Sequence, residues 1–253
     1  SEPSVAINYV MEATGVYHER LAYFLYQQQQ MTSIILPNKL SNYFRTLSVK
    51  TITDKTASET IARFGLERKL DNWKPANPVF KKLRQLARER DQLVQTRTMI
   101  KNQLHAEQSE AEPNNATINR FKKQILLFDK QEQEIKLELA ATVKQNESIK
   151  RKVEIITSIP GVGALTAVNV LAETNGFELI RNKKQLASYA GLDVVEKQSG
   201  TSVRGKSRIS KKGNRFLRKA MHLPALSAIR YDDRFKAIFA RLVSKHGIKM
   251  KAV

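Results

Sequence analysis

The sequence predicts an α/β layer followed by a helical remainder. Three observations lead there: two short apolar runs near the start are separated by an amphipathic stretch, apolar residues alternate in steps of four and three through the middle, and the last third is basic and punctuated by glycine. The run "VAINYVM" (5–11) reads as a strand ending at Glu12, and "ATGVYHERLAYFLYQQQ" as a turn followed by an amphipathic helix. A second buried strand, "TSIILP" (32–37), precedes two helical stretches, "NKLSNYFRTLS" and "DKTASETIARFGLERKL". The latter opens on Asp54, where an acid suits the helix dipole. Two strands make a poor sheet, so the chain is expected to begin partway into this domain.

From Val79 the pattern becomes that of a coiled-coil seam, with Leu83, Leu86, Arg90, Leu93, Arg97, Ile100 and Leu104 on one stripe. After the breaker "EAEPNNAT" (110–117) it resumes at Ile118 and runs through Phe121, Ile125, Phe128, Glu132, Ile135 and Leu139. Beyond a polar gap at Thr142 and Asn146, it continues with Ile149, Val153 and Ile156. Folding the two stretches back about the breaker sets Leu83 near Leu139, Leu93 near Phe128, and Arg90 opposite Glu132, so the odd charges pair. An arm from Val79 to Ala106 would reach roughly 40 Å at about 1.5 Å per residue. The segment reads as an antiparallel spacer or oligomerisation hairpin without chemistry.

"ITSIPGVGALTAVNVLAE" (156–173) places a Gly-apolar-Gly turn, Gly161 to Gly163, between helices. Such a turn either holds a DNA phosphate on its amides, as in helix-hairpin-helix elements, or packs two helices together. "NKKQLASYAGLD" is a helix ending at Gly191, and "NRFLRKAMHLPALSAIR" a helix with a kink at Pro224. Between them lies "QSGTSVRGKSRISKKGNRFLRK" (198–219), with eight Lys or Arg and no acid. Its serines and glycines read as a flexible loop. Arg204, Lys206, Arg208, Lys211, Lys212 and Arg215 form a candidate phosphate-binding face, and Ser199, Thr201, Ser202 and Ser207 offer hydroxyls. Composition favours binding without chemistry. No general base stands close in sequence to activate a serine.

A net charge of +20 and a pI near 10.1 call for a polyanionic partner, most simply nucleic acid, with a membrane surface the weaker alternative. The 253 residues and 41% apolar content suit a folded chain. No apolar run approaches the roughly 20 residues that span a bilayer, and residues 1–20 show no basic-then-apolar leader, so a soluble intracellular protein is expected. With no cysteine, and with His18, His105, His222 and His246 scattered, any metal must sit on carboxylates.

At "MEATG" (11–15), "TDKTASETIARFG" (53–65), "SIPGVG" (158–163) and "SGTSVRGKSRISKKGNRFLRKA" (199–220), the chain resembles the DEDD-type insertion-sequence transposases. These are relatives of the Piv DNA invertase, and the family includes the bridge-RNA-guided recombinases. The resemblance implies a ribonuclease H-like (Holliday-junction-resolvase-like) domain over 1–78, with its first strands and their aspartate upstream of residue 1. A coiled-coil hairpin over 79–155 and a C-terminal transposase domain over 156–253 follow, the latter stopping before the family's final helix. Glu12 and Asp54 fall on Mg2+-binding acids, Ala57 stands where the family has a second aspartate, and Ser199 falls on the nucleophilic serine. The implied partners are DNA, a structured guide RNA, and further copies of the chain, as a dimer or tetramer joined by the coiled coil. No membrane is implied, and the setting is the prokaryotic cytoplasm. Ala57 and the truncated domain imply impaired cleavage. Two alternatives stay open: a non-catalytic nucleic-acid binder, and a metal-only junction resolvase in which Ser199 merely binds phosphate.

Overall fold

The computed structural model describes residues 7–47, 51, 53–178, 180–196, 198–199, 203–205 and 207–247, with the backbone alone for residues 198, 199, 203, 204 and 246. The chain divides into two compact units, Ser1–Ala76 and Asn77–Val253.

In the first unit, strand β1 (Asn8–Glu12) is followed by helix α1 (Glu19–Gln27) and strand β2 (Met31–Ile35). The strands pair in parallel with Asn8 opposite Met31 and Glu12 opposite Ile35, an arrangement that needs a crossover such as α1. The exposed side of β2 is covered by the chain that returns after the later helices. Thr32 N donates to Asn72 Oδ1 at 3.0 Å, Trp73 N donates to Thr32 O at 2.6 Å, and the Trp73 ring meets Tyr23 and Tyr26 edge-on. Helix α2 (Pro37–Phe44) starts on a proline whose missing N–H is not needed there. Helix α3 (Asp54–Glu67) starts one residue after Thr53. That residue exchanges hydrogen bonds with Thr56 in a reciprocal cap. Tyr43 joins the two helices: its ring packs on Phe64, and its hydroxyl donates to Glu67 at 2.7 Å.

The second unit begins with two long helices, α4 (Pro78–Gln108) and α5 (Asn115–Lys144), whose starts are capped by Asn77 and Asn114. Their pairing is antiparallel and has the expected register. Arg90 donates to Glu132 at 2.7 Å, Arg97 donates to Glu132 at 2.6 Å and to Asp129 at 2.5 Å, and Lys82 pairs with Glu138. Leu83 and Leu139 share one apolar cluster, as the sequence predicts.

The expected continuation of the seam past Thr142 is realised differently. Thr142 turns its hydroxyl back to Glu138 O, and Asn146 Nδ2 donates to Thr142 O, so α5 ends with its carbonyls satisfied. Ile149 and Val153 then enter the core from a separate helix, α6 (Glu147–Thr157). Helix α7 (Ala164–Glu173) adds Ala167, Val168, Leu171 and Ala172 to the same cluster as Phe80 and Leu83. The boundary expected at 155/156 thus falls inside one shared core.

Helix α8 (Lys183–Tyr189) is followed by four two-residue strands: β3 (Val194–Val195), β4 (Gln198–Ser199), β5 (Val203–Arg204) and β6 (Arg208–Ile209). They pair antiparallel as two short sheets, β3 with β6 and β4 with β5, together termed the ribbon. The loop expected here is therefore strand-paired. Valine and isoleucine at Val194, Val195, Val203 and Ile209 supply the β-preference that the cations hide in a compositional reading.

Three helices close the described chain: α9 (Arg215–Ala220), α10 (His222–Tyr231) and α11 (Asp233–His246). The expected kink at Pro224 falls at Met221, the single residue between α9 and α10, which keeps right-handed helical dihedrals and bonds back to Leu217 O. It leaves Pro224 in the first turn of α10, where no hydrogen bond is lost. No helix among the described residues is long and apolar enough to cross a membrane.

Candidate nucleic-acid interface

The ribbon is built on a narrow neck. Helix α8 stops at Gly191, which takes the left-handed conformation (φ +69°) while Gly191 N donates to Ser188 O and Leu192 N to Ala187 O. The returning limb docks on that stop: Lys211 N donates to Gly191 O at 3.0 Å, Asn214 N to Tyr189 O at 2.7 Å, and Arg218 Nη1 to Ala190 O at 2.6 Å. Ser210 adds a side-chain bond of 2.6 Å to Asp193. The limbs approach so closely at Gly213 that an added Cβ would stand 2.5 Å from both Gly191 N and Tyr189 O. From this neck the ribbon extends to the pair Ser199 and Val203, which puts Ser199 next to the connecting residues 200–202.

Residues 200–202, with Thr201 and Ser202, lie outside the described residues. So do Lys206 and the side chains of Ser199 and Arg204. Arg208, Lys211, Lys212 and Arg215 are exposed on the returning limb and at the neck, and the Ser207 hydroxyl donates to Glu196 at 3.3 Å. The structure thus places three of the expected phosphate ligands on the returning limb and Arg215 at the start of α9.

Beneath the neck lies a knot that sequence reasoning missed. Glu173, at the end of α7, is 2% exposed. Arg88 on α4 donates to both its carboxylate oxygens at 2.8 Å, and Asn214 Nδ2 donates to one of them at 2.6 Å. Asn214 Oδ1 accepts from Phe216 N and Leu217 N and so caps α9, while Tyr189 OH donates to Glu173 O at 2.9 Å. The Arg88 guanidinium also lies 4.5 Å over the Phe216 ring, and Lys219 on α9 pairs with Asp91 on α4. The hydrogen bonds to Glu173 raise the Arg88 pKa above its ordinary value. A signal was present in the sequence: Glu173 is the single charge in the apolar helix "ALTAVNVLAE", and a buried charge needs a partner.

The Gly161 to Gly163 turn divides between its two readings. Gly161 has φ +86°, and a Cβ there would fall 2.4 Å from Ser227 Cβ on α10, so this glycine is required by packing. Gly163 is exposed at the N-cap of α7. No side chain caps that helix, and open space faces the glycine.

Glu12 and Asp54 belong to the first unit. Glu12 is half-buried at the carboxyl end of β1, Asp54 is exposed at the first residue of α3, and Ala57 follows one turn later. Among the described residues, no three or more His, Asp or Glu side chains gather where they could hold a metal. Two carboxylates do not complete a protein donor set of that kind, so the residues present do not fit a self-sufficient metal site.

A transposase family described as IS116/IS110/IS902 matches residues 153–240, and a DEDD transposase family of the IS110 type matches residues 2–110. The chain is 28% identical over 224 residues to a pilin gene-inverting protein of Moraxella bovis and to one of Moraxella lacunata, covering 87% of this chain and 66% of each relative. It therefore spans just under two thirds of those proteins. It is also 31% identical over 120 residues to the transposase of insertion sequence element IS1111A of Coxiella burnetii, covering 46% of this chain and 32% of that relative.

Proposed function

The chain belongs to the IS110-type transposases and recombinases, and from that premise we propose that it handles DNA for cutting and rejoining, with the Ser199 hydroxyl as attacking group. The observation that carries the reading is the ribbon: Ser199, in the last pair before residues 200–202, belongs to a necked, strand-paired element whose limb presents Arg208, Lys211 and Lys212, with Arg215 at the start of α9. A two-stranded ribbon is narrow enough to enter the DNA major groove.

In the proposed step, Ser199 Oγ forms a bond to a backbone phosphorus and the bond from that phosphorus to the 3′ oxygen breaks. The 5′ end is then held as a phosphoserine, and the proton leaving the serine is balanced by one gained at the 3′ hydroxyl. Attack by a different 3′ hydroxyl reverses the step and restores the serine, so the bond energy is kept for rejoining. Arg204 and Arg208 offset the charge gathering on the phosphate. Lys206, Lys211, Lys212, Arg215 and the amides of the turn ending at Gly163 hold flanking phosphates, contacts that position without reading sequence. Gly161 shapes that turn.

Glu12 and Asp54 are, in this reading, part of a Mg2+ site that Ala57 leaves short of a carboxylate, which impairs cleavage by this chain. Target choice is assigned to a structured guide RNA that pairs with DNA, and the α4–α5 hairpin to assembly of several copies.

The test uses DNA carrying a bridging 3′ sulfur at the scissile phosphate. A thiolate leaves far more readily than an alkoxide, a thiol having a pKa of about 8.5, so the reaction leans less on metal. A covalent protein–DNA band on a denaturing gel, absent with Ser199→Ala at unchanged DNA affinity, is expected. Free 5′-phosphate ends without the band indicate a metal-only resolvase. Binding with neither product indicates a non-catalytic binder, the alternative that Ala57 favours.

A further inference from the structure

A carboxylate sealed beneath the ribbon is a costly way to fill space. A buried, paired carboxylate as a rule roughly breaks even, and an apolar side chain at the end of the apolar helix α7 would serve the core as well. What an apolar side chain would not do is hold α4 and the ribbon's returning limb at once. Glu173 binds α4 through the two-pronged Arg88, binds the returning limb of the ribbon through Asn214, and accepts from Tyr189 of α8 at its main-chain oxygen.

Asn214 makes the tie directional. Its amide nitrogen donates to Glu173 while its oxygen accepts from the first amides of α9, so the side chain is held at both ends with one possible orientation. Asn214 immediately follows Gly213, where the neck is tightest. Lys219 to Asp91, and Arg88 over Phe216, tie the same two helices again on either side of this bond.

We propose that Glu173 is a positioning residue: acting through Asn214, it fixes the ribbon's returning limb against α4 and thereby sets where Ser199 meets a backbone phosphate. The inference rests on the reading that Ser199 attacks. A displacement of about 1 Å at a reacting centre lowers rate by one to two orders of magnitude, so a rotation at the neck too small to unfold the ribbon is enough to matter.

The chemistry of the pair supplies the test. Asn214→Asp keeps an oxygen to cap α9 but removes the donor and sets two carboxylates together. Glu173→Gln sets an amide nitrogen against donors. The double variant E173Q/N214D restores the bond with its direction reversed, Gln Nε2 donating to the aspartate. The chain has no cysteine, so cysteines introduced at the exposed Val194 on the ribbon and Gln92 on α4 are the only thiols for spin labels.

One narrow distance distribution is expected in the parent and the double variant, and a broad or shifted one in each single variant. Adduct yield with the sulfur-bridged DNA should fall by one to two orders of magnitude in the singles and recover in the double, with DNA affinity unchanged. Should a single variant fail to melt cooperatively, Asn214→Ser, which keeps an oxygen to cap α9 on a shorter side chain without the amide donor, takes its place. An unchanged distance distribution in the single variants overturns the proposal, and so does failure of the double to restore it. If distances follow the expected pattern while no chain, the parent included, forms an adduct, the positioning role stands and the reading of Ser199 as nucleophile fails.

Discussion

Helix α4 grips two buried glutamates, Glu132 on α5 and Glu173 on α7, and the two grips differ in their chemistry and in their visibility. Glu132 receives Arg90, Arg97 and Lys136 around one carboxylate, all within a helical hairpin whose register the pairs fix. Glu173 receives a single arginine, together with an asparagine that belongs to another element altogether. The first is a ladder rung, repeated in kind by Lys82 and Glu138 further along. The second joins helices to a ribbon and is not repeated among the described residues. Ion pairs of similar geometry therefore serve register in one place and orientation in the other.

The largest expected effect separates removal of a partner from replacement of the whole network. Glu132→Ala strands Arg90 in a mostly buried seam, leaves Arg97 with Asp129 alone, and should cost about 3 kcal/mol by denaturant unfolding. Replacing Arg90, Glu132 and Arg97 together with Leu or Met should restore most of that loss. If the triple variant stays as unstable as the single, the network contributes stability as such, and the contrast with Glu173 collapses.

Acidification gives a somewhat smaller effect. Burial pushes the Glu132 carboxyl upward, but the hydrogen bonds from Lys136, Arg97 and Arg90 outweigh it and hold the pKa at about 2. A lowered carboxyl pKa contributes stability that is complete above the ordinary value and is lost as pH falls through the folded one. The window therefore runs from pH 4.5 down to about 2. Glu67, held down first by Arg63, and Asp232, held down first by Arg234, add to the acid loss elsewhere. The part owed to the hairpin is the difference between the parent and Glu132→Gln, whose profile should be flatter across that window. Parallel profiles would refute the assignment.

The smallest effect is at the rim of the same network. Asp129 also receives Arg97 but is 47% exposed, so Asp129→Asn should cost under about 1 kcal/mol. A loss there matching that of Glu132→Ala would mean that burial is not what distinguishes the two acids.

This contrast also explains what the sequence could reveal. Arg90 and Glu132 are 42 residues apart, yet both interrupt a four-and-three alternation of apolar residues, so folding the stripe back on itself brings them together. Arg88 is two positions from Arg90 and about 200° around the helix, at about 100° per residue. It sits off the stripe and is silent to that periodicity. Its partner lies 85 residues away on a helix with no polar pattern to match. The ribbon was hidden for another reason: strands of two residues are too short to show alternation, and the lysines and arginines between them read as loop. The α/β run was legible because each of its elements carries its own period, and Asp54 at the head of α3 followed from helix-end chemistry alone. Gly161 looked the same whether it bound phosphate or packed, because only the position of Ser227 distinguishes the two.

The neck also determines which lengths of chain this protein can accept. Its two limbs are locked within a few residues of each other, where Gly191 and Gly213 leave no room for a methyl group and Lys211 bonds back to Gly191. Everything between them is a closed loop whose ends are fixed without reference to its contour. Lengthening such a loop costs little, each doubling adding about 0.6 kcal/mol of closure entropy. Residues can therefore be inserted or exchanged between Val195 and Arg208 with the rest of the fold undisturbed, whereas a single added carbon at Gly213 cannot be absorbed. The neck acts as a socket: it accepts ribbons of different reach on one invariant mount.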